Sequence, residues 1–333
     1  MSKSVLITGN AGLLGARLAD WILENEPDYE VVGIDNLFGG YIENVDPKVV
    51  FYRRELSSDS IKDVFDKHEF EYVFHFAAYA AEGLSPFMRM FNDKNNMLST
   101  DNIINECISH NVKRLVYTSS MSVYGWGALK GKTFDESDSP APIDPYAVSK
   151  YACEMNIKSA GEQHGLDWCI IRPHNCFGEK QNIWDKYRNV LGIWMVQILN
   201  NKPMLIYGDG EQTRAFSYID DCLQSFWNAA VYESASKEII NVGGVEGYSI
   251  NEAARLLCGI TGYDNIEYKE ARHEVKHAVP NPRKSIELLG YEQTTSLEEG
   301  LRKMWEWAKT QPNRKQYKWE NYEITKGIYS YWK

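Results

Sequence analysis

Long apolar runs are absent from this chain: none approaches the roughly 18 residues that a membrane-spanning helix requires. Cysteine is sparse and scattered. The six thiols, Cys107, Cys153, Cys169, Cys176, Cys222 and Cys258, include no C-x-x-C pair. That pattern suits buried small hydrophobes in a reducing compartment better than a disulfide framework. A basic surplus is missing too, since 36 Lys and Arg against 46 Asp and Glu leave a net charge of −10. A nucleic-acid or anionic-membrane partner would need a basic footprint, so neither is expected. An anionic small molecule is not excluded, because a few local arginines suffice to hold one. No charged-then-apolar leader precedes the opening MSKSVLITGNAG, which enters a strand at once. The cytoplasm is the expected address. There is no internal repeat and no low-complexity segment.

What is present is an ordinary globular balance, 44% hydrophobic and 25% charged over 333 residues, enough for one large domain or two intimate ones. The first half alternates short apolar runs (SVLIT, VVGID, YVFHFA, RLVYTSS, WCIIRP) with helix-length segments at 13–26, 60–68, 99–110 and 146–164. Strand and helix in turn predict βαβ units and a doubly wound parallel sheet. EIINVGG reads as a late strand returning to that sheet. Beyond Arg172 the pattern becomes mixed loops and helices, with a helix expected around 296–309. The division is therefore a dinucleotide-binding domain over 1–173, joined again by a strand and helix near 213–243, and a smaller mixed α/β lobe over most of 174–333. That lobe is expected to lie over the carboxyl ends of the strands, where open α/β sheets bind ligands. The aromatic, basic tail RKQYKWENYEITKGIYSYWK is expected to pack against the body or a sister subunit.

The first strand ends in Thr8-Gly9-Asn10-Ala11-Gly12-Leu13-Leu14-Gly15 and a helix follows. Glycines at 9, 12 and 15 allow a tight turn, close approach to a pyrophosphate, and close helix–strand packing. The free N–H groups of a helix opening at Leu13 and Leu14 suit phosphate. The next strand ends in Asp35, where a carboxylate accepts from a ribose 2′-hydroxyl and repels a 2′-phosphate, so NAD is expected rather than NADP. This is a Rossmann-type α/β fold. Two further segments carry the chemistry: YTSSMSVYG, with Ser120, and Tyr146-Ala-Val-Ser-Lys150 opening a helix. Tyr146 and Lys150 at i and i+4 share a helical face, and an ammonium beside a phenol favours the phenolate. A tyrosine so tuned can move a proton on and off a sugar hydroxyl, with Ser120 sharing that hydroxyl.

The succession TGxxGxxG, Asp35, HFAA, YTSSMSVYG, YAVSK and RPHNCFG resembles the extended short-chain dehydrogenase/reductases, in particular the NAD-dependent nucleotide-sugar epimerases and dehydratases typified by UDP-galactose 4-epimerase. The resemblance runs from about residue 4 to 309. It implies Tyr146, Lys150 and Ser120 as catalytic residues, the first two touching the cofactor as well. Asn36, Glu55, Leu56, Phe76, Ala77, Ala78 and Asn96 are implied along the cofactor. Ser85, Ser122, Asn175, Arg214, Arg272 and Val279 are implied around a nucleotide-sugar, the arginines on its phosphates. A homodimer built on helices 99–110 and 146–164 is implied as well. Three positions depart from the pattern: Glu82-Gly83 where relatives carry Val and a variable residue, Glu55 where many have Asp, and Ala215 where Asp is common.

Within the resemblance, 4,6-dehydratases carry Asp-Glu where this chain has Met121-Ser122, and the decarboxylases keep a Glu at the Ser122 position. A thioether supplies no proton chemistry, so a nucleotide-sugar 4-epimerase acting on a UDP-sugar is expected. The alternatives are a nucleotide-sugar 4-dehydrogenase or reductase that releases its cofactor, and a non-catalytic NAD-sensing protein. The implied place of Val279 beside the sugar leaves room for an N-acetylhexosamine or a hexuronate. His273-Glu-Val-Lys-His277 spells H-E-x-x-H, but zinc chemistry needs both histidines on one helical face. Pro280 and Pro282 follow at once, so no metal is expected. His75 is expected to pack at a strand end, and the Trp305/Trp307 helix to serve as core or lid.

Overall fold

A computed structural model describes residues 3–126, 132–315 and 318–332. Seven strands form one parallel sheet: β1 Lys3–Thr8, β2 Tyr29–Asp35, β3 Val50–Arg53, β4 Phe70–His75, β5 Arg114–Thr118, β6 Trp168–Pro173 and β7 Glu238–Val242. Their order is β7-β6-β5-β4-β1-β2-β3. Strands β1 and β5 are buried almost end to end, which is why they read as continuous apolar runs rather than alternating ones.

Helices cover both faces. One face packs α1 (Leu13–Asn25) and a helix at Ile219–Val231 around Ile22, Phe74, Phe226 and Trp227. The other packs helices Lys62–Lys67, Ser99–Ser109 and Pro145–His164 around Phe65, Ile104, Leu115 and Ile157. Helix ends fall within two residues of the sequence expectation. A five-residue π turn at Lys94–Leu98, which the sequence pattern does not signal, leads into Ser99–Ser109.

The chain reverses strand order between β1 and β4, so a crevice opens at their carboxyl ends. Thr8 and His75 close those two strands side by side, Thr8 Oγ1 lying 2.7 Å from His75 Nδ1. The smaller lobe has its own core around Trp194, Phe216 and Leu301, with Trp305 and Trp307 packed against it. Its helix Ile250–Thr261 is fixed by a capping box, Ser249 and Glu252 each serving the other's backbone. Among the described residues no helix is long and apolar enough to cross a membrane.

Candidate active site

Both lobes contribute to one cavity of about 720 Å³. Its dinucleotide half begins at the glycine loop. Gly9 adopts φ +71°, and a methyl group there would sit 2.8 Å from the Ala77 nitrogen. A methyl on Gly15 would lie 2.4 Å from the Gly9 oxygen, so the helix can approach the strand only because Gly15 has no side chain. No side chain caps α1, whose N-cap is Gly12; its first N–H groups remain available to phosphate.

Asp35 accepts from the main-chain N–H groups of Ala11 at 3.0 Å and Leu37 at 2.7 Å. Burial raises its carboxyl, and those two bonds act against burial. Asn36 donates to Glu55 at 2.9 Å, giving this edge a second carboxylate. Gly9, Gly12, Leu13, Leu14, Gly15, Asp35, Asn36, Glu55, Leu56, Phe76, Ala77 and Ala78 all line the cavity. These features fit a dinucleotide: a side-chain-free cradle, an uncapped helix and an acidic ribose edge. Asn96 does not line the cavity. It is buried in the π turn, accepting from the Tyr79 N–H at 2.9 Å and donating toward Asn92 and Ser149, so it braces the wall from behind.

The chemical end is set by Pro145–His164. Asp144 caps this helix, accepting from the Ala147 N–H at 2.9 Å, and Pro145 occupies its first turn. Tyr146 and Lys150 therefore project from its opening turns into the cavity beside Ser120. The Lys150 ammonium donates to the Thr118 oxygen at 2.7 Å and lies 5.9 Å from the Tyr146 ring centroid. Burial lowers Lys150 to about 8. Tyr146 is raised above the ordinary phenol range, by burial first and by Glu82 second, while the Ser120 hydroxyl acts the other way. In the protein alone the tyrosine is thus raised rather than lowered as expected from the neighbouring ammonium, and burial is the largest cause.

Around the substrate half, Asn175 and Arg214 line the cavity; Asn175 donates to the Ala215 oxygen at 3.0 Å, and Arg214 pairs with Glu274 at 3.0 Å. Arg272 also lines it, but its guanidinium stacks 3.4 Å from the Tyr207 ring centroid and donates to the Tyr331 hydroxyl at 3.1 Å. Three expected residues stand off the wall. Ser85 lies behind it, its hydroxyl accepting from the Tyr146 N–H at 3.1 Å. Ser122 is buried and donates its own N–H to Ser120 Oγ. Val279 packs against Gly247, where a methyl would meet it at 2.6 Å, and Val275 takes the place on the cavity wall.

Glu82, noted in the sequence as a departure from the family pattern, lines the cavity, and the structure adds residues that the motifs did not mark: Asp144, Arg188, Tyr207, Glu274, Lys326 and Tyr329. Arg188 donates to Asp185 at 3.0 Å and reaches Gly39, where a methyl would meet its guanidinium. Only the Asp144-Pro145 helix start carried a local signal, that of an N-cap followed by proline. The tail packs on the body. Trp319 stands 4.6 Å from Phe91 between ring centroids, Glu323 accepts from the Met90 and Phe91 N–H groups at 2.8 Å, and Trp332 is buried.

The H-E-x-x-H segment runs as a loop into a short strand at His277–Ala278, so its histidines share no helical face. His75 is buried with both ring nitrogens bonded to threonine hydroxyls, Thr8 and Thr100, and burial holds it down to about 3.

Comparison with known proteins agrees with this geometry. The UDP-glucose 4-epimerase of Thermotoga maritima, solved with UDP-glucose, superposes with a TM-score of 0.86 at 31% identity, covering 92% of this chain and 98% of its own. The UDP-glucuronic acid 4-epimerase of Bacillus cereus, solved with UDP-glucuronic acid and NAD, gives 0.84 at 27% identity, covering 92% and 99%. The dTDP-D-glucose 4,6-dehydratase of Mus musculus is 28% identical over 97% of this chain and 92% of its own. Residues 5–243 match the NAD dependent epimerase/dehydratase family, and the chain belongs to that family, with NAD as its cofactor.

Proposed function

We propose that the protein is a nucleotide-sugar 4-epimerase acting on a UDP-sugar. The observation that carries this reading is the convergence of Tyr146, Lys150 and Ser120 on the cavity that also holds the glycine loop. Held by the glycine loop and Asp35, NAD would supply hydride acceptance and return at sugar C4. Tyr146 takes the O4 proton and returns it, and Ser120 holds the same oxygen. Lys150, anchored on Thr118, keeps a positive charge beside the phenol as the proton leaves. Met121 lines the wall beside Ser120 and offers no acid for elimination.

A UDP-hexose deuterated at C4 tests the proposal. The epimer should retain the label without exchange with solvent, and loss of label to water contradicts it. A 4-dehydrogenase that releases its cofactor is the competing reading, and it would form NADH in step with product.

Helices Ser99–Ser109 and Pro145–His164 supply the dimer surface in this reading. Val148 and Met155, seven residues apart on the second helix, are both half exposed, which leaves an apolar stripe open to a sister helix. Light scattering at the mass of a single chain contradicts that assignment. Six free cysteines support a cytoplasmic setting.

A further inference from the structure

Glu82 lies on the wall of the cavity, in a turn held in place from two sides. On one side, the Ser85 hydroxyl donates to the Glu82 main-chain oxygen at 2.8 Å and accepts from the Tyr146 N–H at 3.1 Å. The turn is thereby tied to the first residues of the catalytic helix. On the other side stands Trp332 of the C-terminal segment. A methyl on Gly83 would lie 3.5 Å from its ring, which itself packs edge-on to Phe87 and Tyr187. Glu82 therefore cannot swing away with a loose loop.

The groups facing it are known. Asp144 and Glu274 add negative charge, Arg214 adds positive charge, and Tyr146 feels Glu82 strongly enough to be raised by it. His273 lines the cavity and acts on Asp144. Arg214 is already paired with Glu274 at 3.0 Å, so it does not neutralise Glu82 on its own. Glu82 thus stands with two further carboxylates, Asp144 and Glu274, in a cavity that the cations Lys150 and Arg188 also line.

We propose that Glu82 sets sugar specificity: its carboxyl accepts hydrogen bonds from the hydroxyls of a neutral hexose and repels a sugar carrying its own carboxylate. This rests on the reading of the cavity as a nucleotide-sugar site. Val279 gives no separate opening for a hexuronate, since it packs on Gly247 rather than on the cavity wall. Glu82 is exposed to the open cavity, and a carboxylate fixed there opposes a like charge that enters it. The discrimination is also pH-dependent. The surrounding cavity wall, then Asp144, raise Glu82 to about 7 although its side chain is open to solvent, so lowering the pH from 8 to 6 protonates part of it and weakens the rejection.

The test is titration calorimetry of the NAD-loaded full chain with UDP-galactose and with UDP-glucuronic acid, at pH 6 and pH 8. The wild type should bind UDP-galactose at least about tenfold tighter at pH 8, with a smaller preference at pH 6. Glu82→Gln should lose most of that preference and its pH dependence, and Glu82→Asp should keep both. Equal affinities in the wild type at pH 8, or a preference unchanged in Glu82→Gln, would overturn the proposal, and so would binding of neither sugar nucleotide. Because the readout is binding, the proposal survives a protein that discriminates as stated but forms no epimer; that outcome counts against the epimerase reading alone.

Discussion

The Lys150 ammonium is bonded to the Thr118 main-chain oxygen at 2.7 Å, which ties the catalytic helix to the carboxyl end of β5. The same contact fixes the lysine 4.9 Å from the Tyr117 ring centroid and keeps its charge deep in the protein. A cation held in so costly a place marks a candidate functional position, in keeping with the proposed role of Lys150.

The first expectation concerns that pair. Tyr146→Phe removes the group that moves the O4 proton and should lower kcat by about 10²–10⁴-fold with near-normal binding of the sugar nucleotide. Lys150→Met should also be strongly impaired. In the wild type, turnover should decline as pH rises through about 8, where the buried ammonium loses its proton. Steady-state rates between pH 6 and 10 check both statements; a profile flat across pH 8 contradicts the role of Lys150.

Acid should unfold the protein through its buried histidines. His75 and His174 are both held down to about 3 by burial, against an ordinary value of 6.5. Between those values the unfolded chain binds protons that the native state does not, so stability falls as pH drops from 6.5 toward 3. Each imidazole contributes a loss of about 2 kcal/mol at pH 5. Urea titrations from pH 7.5 to 4.5 should show the decline, and His75→Asn should reduce its slope by about one proton.

Asp35 should govern cofactor choice. Its carboxylate, held by the Ala11 and Leu37 N–H groups, stands where a 2′-phosphate would have to fit. Asp35→Asn should weaken NAD binding by about tenfold and narrow the gap between NAD and NADP. Fluorescence titration with each nucleotide measures the change, and an unaltered NAD affinity removes Asp35 from the site.

The C-terminal segment should influence KM more than kcat. Tyr331 holds Arg272, and Tyr329 both lines the cavity and accepts from the His273 N–H at 3.2 Å. Tyr331→Ala removes the hydrogen bond that orients the arginine, leaves its stacking on Tyr207, and does not touch the reacting end, so KM should rise several-fold with kcat within about twofold. A fall in kcat alone would show that the tail acts on the chemistry instead.

Much of this was legible in the sequence, for reasons that particular residues make plain. Parallel strands buried on both faces have to be continuous apolar runs, so β1, β2, β4, β5 and β6 stand out in the sequence, whereas the half-buried edge strand β3 does not. The glycine positions and the Tyr146–Lys150 spacing are local in sequence because one turn or one helix builds each of them. Arg188, Glu274 and Tyr329 come from three separate segments and meet only in the folded cavity. No spacing rule reaches that far. Val279 shows the complementary error: a one-position reading placed it at the sugar, yet the chain turns so that Val275 faces the cavity. Asn96 was expected along the cofactor, but the π turn aims its amide at Tyr79, Asn92 and Ser149 rather than into the cleft.

The most direct test of the central claim is incubation of the pure protein with UDP-, dTDP- and GDP-sugars, without added cofactor. Products are read by chromatography and NADH by absorbance. The account predicts a C4 epimer of a UDP-sugar with no net NADH. A stable 4-keto product with NADH accumulating only when NAD is supplied, or a 4-keto-6-deoxy sugar, would contradict it.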